Sequence, residues 1–170
     1  MNFPNPFRSQ SSWGRLVEAS IDYAERLGDR QVGAEHLLLA VLDDPTGATR
    51  RAFAAAGADP TAVEDAIRWS HANALRAIGI EPVPEAALDV GGRPGKHRRS
   101  DFGESCRQVI GTAATRAKLA GVGSIDLHML DAIGDLREGT AARALRELGL
   151  GPGALHAAVL DELAAASRAA

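Results

Sequence analysis

Cysteine is nearly missing from this chain: Cys106 stands alone among 170 residues, and a single cysteine excludes an intramolecular disulfide. Aromatic residues make up 4% of the sequence, too few for the stacking platforms with which proteins grip single-stranded bases. The longest strongly apolar run, Leu37 to Leu42, is far too short to span a bilayer. Met1 to Ser12 has Phe3, Pro4, Pro6 and Phe7 among polar residues and lacks the continuous apolar stretch of a signal peptide. A net charge of -3 offers no overall attraction to nucleic acid or to an anionic membrane surface. These absences predict a cytoplasmic protein with no nucleic-acid partner and no membrane contact.

Alternating strand patterns are also missing, and helical periodicity takes their place. Leu16, Ser20, Tyr23, Ala24 and Leu27 make one face of a first helix that stops at Gly28. A short second helix runs from about Ala34 to Leu42. A third starts near Gly47 and stops at Gly57, and a fourth begins at Asp59-Pro60, an aspartate cap followed by a proline suited to the first turn. Between Gly79 and Asp101 the periodicity gives way to prolines, glycines and the basic run Lys96-His97-Arg98-Arg99; it resumes at Phe102.

The two helical halves can be laid on each other. Gly28 pairs with Gly121, Val17 with Ile110 and Ala24 with Ala117. After the loss of one loop residue, His36 pairs with His128, Val41 with Ile133, Gly47 with Gly139, Arg51 with Arg143, Gly57 with Gly149 and Pro60 with Pro152. Chance alignment of two Ala-rich helices would rarely match boundary glycines and a proline along with the apolar faces. The predicted fold is therefore all-α: a duplicated four-helix repeat, about eight helices with pseudo-twofold symmetry, the halves packed on each other. The division is an N-terminal tail 1–12, a first repeat 13–79, a Pro/Gly-rich basic linker 80–101 and a second repeat 102–170.

Few residues point to chemistry. Glu35 falls in the first turn of a helix, where the dipole favours a carboxylate without any ligand. His36 and His128 lack metal-ligand spacing and read as packing histidines, so no metal and no cofactor is expected. Cys106 has no local partner that would activate it and reads as a small buried hydrophobe; Trp13 is its counterpart in the first repeat. No nucleophile stands with a base, so no enzyme activity is expected. Phe3, Phe7 and Phe102 look exposed at the entries of the repeats, where aromatic residues also staple helix starts.

Val32-Gly33-Ala34-Glu35-His36-Leu37-Leu38-Leu39-Ala40-Val41-Leu42, followed by Gly47 and the Gly57 stop, resembles the signature and following helix of the Clp N-terminal domain. That duplicated helical module heads the ClpC- and ClpA-type AAA+ unfoldases. In the second repeat Ser124-Ile125-Asp126-Leu127-His128 stands in place of the signature. The resemblance implies a non-enzymatic module that binds peptides or proteins: Clp substrates, adaptors, inhibitors, or a Clp ATPase itself. The short tail after Leu163 and the complete-looking start read as a free-standing protein, which brings in an alternative role as a decoy that sequesters degrons or macrocyclic peptide antibiotics. A DNA-binding regulator is the alternative from another class, and the acidic balance weighs against it.

The resemblance also implies site residues. In one branch the signature glutamate of each repeat helps bind phosphorylated arginine; Glu35 matches, but Leu127 stands at the second position. The family's Phe-Thr at each repeat start is replaced by Ser9-Gln10 and Phe102-Gly103. These departures leave Glu35 a structural role. In actinobacterial members, aromatics near the repeat starts form a groove between the first helices of the repeats for cyclic peptides; Phe102 matches, Phe7 matches with a one-residue slip, and Arg107 borders the same groove.

Gly91-Gly92-Arg93-Pro94-Gly95-Lys96-His97 is one residue short of a phosphate loop and puts His97 where Ser or Thr must reach magnesium. The purified chain should therefore hydrolyse no ATP and show no thermal shift with Mg-ATP. A saturable shift at micromolar nucleotide would contradict that reading.

Overall fold

The computed structural model describes residues 12–82, 101–120 and 124–169. Among them are eight α-helices: α1 Ser12–Leu27, α2 Ala34–Leu42, α3 Ala48–Ala55, α4 Val63–Ala77, α5 Glu104–Ala120, α6 Ile125–Gly134, α7 Gly139–Glu147 and α8 His156–Ala169. No strand occurs among the described residues beyond one isolated parallel bridge, Val32 to Phe102. Four helices precede residues 83–100 and four follow, in the same order and with similar lengths, as the duplication requires. The basic run at Lys96 to Arg99 and Phe3 and Phe7 lie outside the described residues.

The helix boundaries follow the chemistry of their ends. Gly57 and Gly149, a repeat-related pair, take φ +95° and +80°, a left-handed turn that is strained for a residue with a Cβ. Each lets the next residue donate back over the turn, Ala58 N–H to Phe53 O at 3.4 Å and Leu150 N–H to Leu145 O at 2.8 Å, which satisfies carbonyls at the helix end. Asp59 accepts the Thr61 N–H at 2.8 Å, but Pro60–Ala62 forms a 3-10 turn and α4 itself starts at Val63. The second half also starts later than its periodicity predicts, at Glu104 rather than Phe102. The cause is tertiary: Val32 N–H donates to Asp101 O at 3.0 Å and Gly103 N–H to Val32 O at 2.9 Å, so the Phe102 backbone is committed to pairing rather than to a helix.

The core centres on α2 and α6. Every residue of α2 except Glu35 is buried, and so is every residue of α6 from Asp126 to Gly134. A helix apolar on nearly all sides has no face to give to water. The two pack on each other, with α1 chiefly on α2 and α5 chiefly on α6. The last helices cross over: α4 packs on α7 of the other repeat, and α8 packs on α3 of the other repeat as well as on α6 of its own. The seams are built of small residues on the third helices, Ala48 and Ala52 in α3 and Ala141 and Ala144 in α7, which let backbones approach closely.

This crossing means that neither four-helix half can bury its apolar surface alone. Ile67, fully buried in α4, should lower one common unfolding transition when truncated: Ile67→Ala is expected to cost about 2–5 kcal/mol. A chain cut down to residues 12–82 should show no cooperative melt. Two separate calorimetric transitions in the full chain would contradict the shared core.

Candidate functional site

The start of α2 meets the start of α5 at the Val32–Phe102 bridge. Ala34 N–H, one of the free donors at the α2 terminus, donates to Ser105 Oγ at 3.2 Å. Gly33 N–H donates to His36 Nδ1 at 2.8 Å. His36, fully buried, lies 2.9 Å through Nε2 from Asp29 Oδ2; with Nδ1 accepting, Nε2 carries the proton and donates to the carboxylate. Both ring nitrogens are thus occupied in tying down the α1–α2 turn, the packing role expected of this histidine. Glu35 lies back over Gly33, where an added Cβ would come within 2.4 Å of its carboxylate; the glycine makes room for the acid. Its side chain is 14% exposed.

The sequence-predicted site residues are only partly gathered here. Phe102 does not stand exposed: it is 8% exposed and part of the hydrophobic core, because its bridge to Val32 turns the ring inward. Arg107 is exposed on the first turn of α5, 3.5 Å from Glu104. Glu35 and Arg107 both lie close enough to Cys106 to act on its thiol, but burial is the larger effect and pushes that thiol up to about 12. Cys106 is fully buried, as expected of a packing cysteine, and at neutral pH it is a thiol rather than a nucleophilic thiolate. Phe7 lies outside the described residues. The carboxylates of Asp29 and Glu35 and the imidazole of His71 come within 4.8 Å of one another, and this is the group among the described residues that could hold a divalent cation.

On the other side of the pseudo-twofold axis the start of α6 is used differently. Asp126, whose side chain is 3% exposed, pairs with Arg15 of α1, and Ser124 Oγ–H donates to it at 3.1 Å. Burial pushes the Asp126 carboxyl above the usual carboxylate range, against the opposing pull of Arg15. The pair sits in a cleft of about 450 Å³ that Asp44 and Thr46 also line. Sequence reasoning passed over Arg15 and Asp126 because it compared Glu35 with Leu127; the acid of the second repeat stands one position earlier.

The geometry agrees with comparisons to known proteins. The family model described as the Clp repeat (R) N-terminal domain matches residues 9–85. That segment carries a Clp repeat N-terminal domain. Among curated relatives, the chloroplastic ATP-dependent Clp protease ATP-binding subunit ClpA homolog of Brassica napus is 31% identical over 112 residues, 66% of this chain and 11% of that protein. The chloroplastic chaperone protein ClpC2 of Oryza sativa subsp. japonica matches with the same identity and coverage. The chain therefore spans about a tenth of the length of these relatives. The crystal structure of the N-terminal domain of ClpD from Arabidopsis thaliana superposes with a TM-score of 0.58 at 22% identity, covering 96% of this chain and 99% of that one. The Clp N-domain fold thus extends over both repeats, beyond the segment that the family model matches.

The Arg15–Asp126 pair gives this Clp N-domain a pH signature. A carboxyl whose pKa is raised on folding binds its proton more tightly in the native state, so its contribution to stability falls as pH rises through the folded pKa. Removing Arg15 strands the buried charge: Arg15→Ala should cost about 3 kcal/mol at pH 7 and progressively less as the solution is acidified. Asp126→Asn, which keeps an acceptor for Ser124, should cost no more than about 1 kcal/mol. Denaturant melts from pH 7 to pH 4 check both, and a loss in Arg15→Ala that grows on acidification would contradict the account.

Proposed function

We propose that the chain is a non-enzymatic, protein-binding Clp N-domain protein of the cytoplasm that takes substrates, adaptors or inhibitors of a Clp unfoldase. The observation that carries this reading is the Clp N-domain fold itself, held rigid by a shared core and presenting the α2–α5 junction at its surface. In this reading the two repeats and the linker between them act as one unit. Glu35 and Arg107 border the ligand and Phe102 supports the junction from beneath; Phe7, the fourth residue assigned to the ligand, lies outside the described residues. The preferred ligand is an apolar peptide segment or cyclic peptide, because Gly103 and Leu127 stand where a phosphoarginine site would need its Thr and second Glu.

Arg107→Ala should weaken binding of a hydrophobic cyclic peptide by about 1–3 kcal/mol, while Glu35→Gln should change it little, since an apolar ligand gives the carboxylate nothing to pair with. Phe102→Ala would open a cavity in the core, so Phe102→Leu is the informative change there, with circular dichroism as the check on folding. Loss of binding of an arginine-phosphorylated protein in Glu35→Gln, with Arg107→Ala silent, would restore the phosphoarginine reading. Adding the chain to a Clp-dependent degradation assay separates delivery from sequestration: acceleration marks an adaptor role, and inhibition marks a decoy.

A further inference from the structure

The internal duplication supplies a control for each inter-repeat seam. On the α3–α8 seam, Arg51 holds Glu162 in a two-pronged ion pair, Nε to Oε1 at 3.1 Å and Nη2 to Oε2 at 2.8 Å. The repeat pairs Arg51 with Arg143, and carrying the same register onward pairs Glu162 with Ser70. On the α4–α7 seam the arginine is therefore kept and the carboxylate is gone: Arg143 donates from Nε to Ser70 Oγ at 3.0 Å and from Nη2 to Thr140 Oγ1 at 3.3 Å, both neutral hydroxyls. Ser70 is buried, 1% exposed, and carries no charge to balance the guanidinium. Arg146, one turn along α7, donates to Arg137 O at 2.8 Å. Among the described residues no carboxylate lies within ion-pair distance of either guanidinium.

These two arginines line a cleft of about 540 Å³ between α4 and α7, together with Ser70, Trp69 and a single acid, Glu147. Trp69 is 48% exposed, unusual for the largest apolar side chain, and it forms one wall of the cleft. A guanidinium fork beside an exposed indole matches a carboxylate next to an apolar side chain: the fork accepts the acid in two-pronged fashion, and the ring buries the neighbour. The opposite seam shows the same fork filled by a carboxylate.

We propose that the α4–α7 cleft is a docking site for an acidic-apolar peptide segment of a partner protein, with the acid on Arg143 and Arg146 and the adjacent aliphatic or aromatic side chain on Trp69. The inference rests on the reading of the chain as a protein-interaction module and adds a second surface to it, lined by α4 and α7 rather than by α2 and α5.

The test is fluorescence anisotropy with a fluorescein-labelled decapeptide of alternating Asp and Leu, against Asn-Leu and Asp-Ser versions of the same length. The Asp-Leu peptide should bind at least tenfold more tightly than either comparator. Ser70→Glu, which places an internal carboxylate opposite Arg143 as Glu162 stands opposite Arg51, should abolish the binding by filling the fork. Arg143→Gln, at an exposed position, should weaken it at least tenfold with the variant's circular dichroism and melt unchanged, even if Ser70→Glu fails to fold. Arg51→Gln should leave it unchanged. Equal binding of the Asp-Leu and Asn-Leu peptides, equal loss in Arg51→Gln and Arg143→Gln, or undiminished binding by Arg143→Gln would overturn the proposal. Loss in Arg107→Ala with Arg143→Gln silent would move the peptide to the α2–α5 junction, overturning this site while leaving the protein-binding function in place.

Discussion

Two helices that cannot face water set the terms for everything else in this structure. The α2 segment Leu37-Leu38-Leu39-Ala40-Val41-Leu42 and its counterpart in α6 are too apolar for an amphipathic helix, and the stable solution is to surround each with other helices. One four-helix repeat has too little material to do this. The two repeats therefore place α2 and α6 against each other and send their last helices across, α4 onto α7 and α8 onto α3, while α8 also covers α6 of its own repeat. The pseudo-twofold arrangement follows from that shared burial, since two similar sequences with the same apolar excess are relieved by the same exchange.

The helices themselves were legible because their ends are written in residue types with one conformational meaning. Gly57 and Gly149 mark the same left-handed stop in both repeats, and Asp59 caps as its chemistry requires. Long-range pairing was less legible. Phe102 looked like an entry aromatic because nothing local ties it down; its burial depends on Val32, which is far away in sequence and reaches it through backbone hydrogen bonds that carry no side-chain signature. The crossing of α4 and α8 was likewise hidden, since an amphipathic helix shows that it has a buried face but not whose surface covers it. The α4 start was misplaced by one 3-10 turn because Asp59 and Pro60 suit both helix types at their first residues.

Candidate surface residues were legible in proportion to how far they depart from the repeat. Glu35 stood out from a motif, but its immediate chemistry is internal: it lies over Gly33 beside the His36–Asp29 link that fixes the turn. Arg15 and Asp126 had no motif, and the ion pair joining them across the repeats became visible only when α1 was seen to reach α6. Comparing the repeats residue by residue would have flagged it, because Gln108 and Ala34 occupy the equivalent places and cannot form such a pair.

That comparison has a physical basis. Duplication begins with two copies of every contact, and a contact needed only for the fold is useful at both places. Where one copy keeps the ion pair and the other keeps only its arginine, the arginine on the second side contributes little to burial, as the exposure of Arg143 shows, and it no longer gains a partner's charge. The Arg51–Glu162 and Arg143–Ser70 pairs stand at repeat-equivalent positions, on the α3–α8 and α4–α7 seams. A serine in place of the glutamate exchanges a fork paired with a carboxylate for one held by neutral hydroxyls, beside the most exposed indole in the described structure. A self-satisfied seam contributes stability, whereas an open seam on the same frame costs some of that stability and gains a charged, partly apolar cleft. The asymmetry between the repeats therefore separates what the fold requires from what the surface offers to a partner.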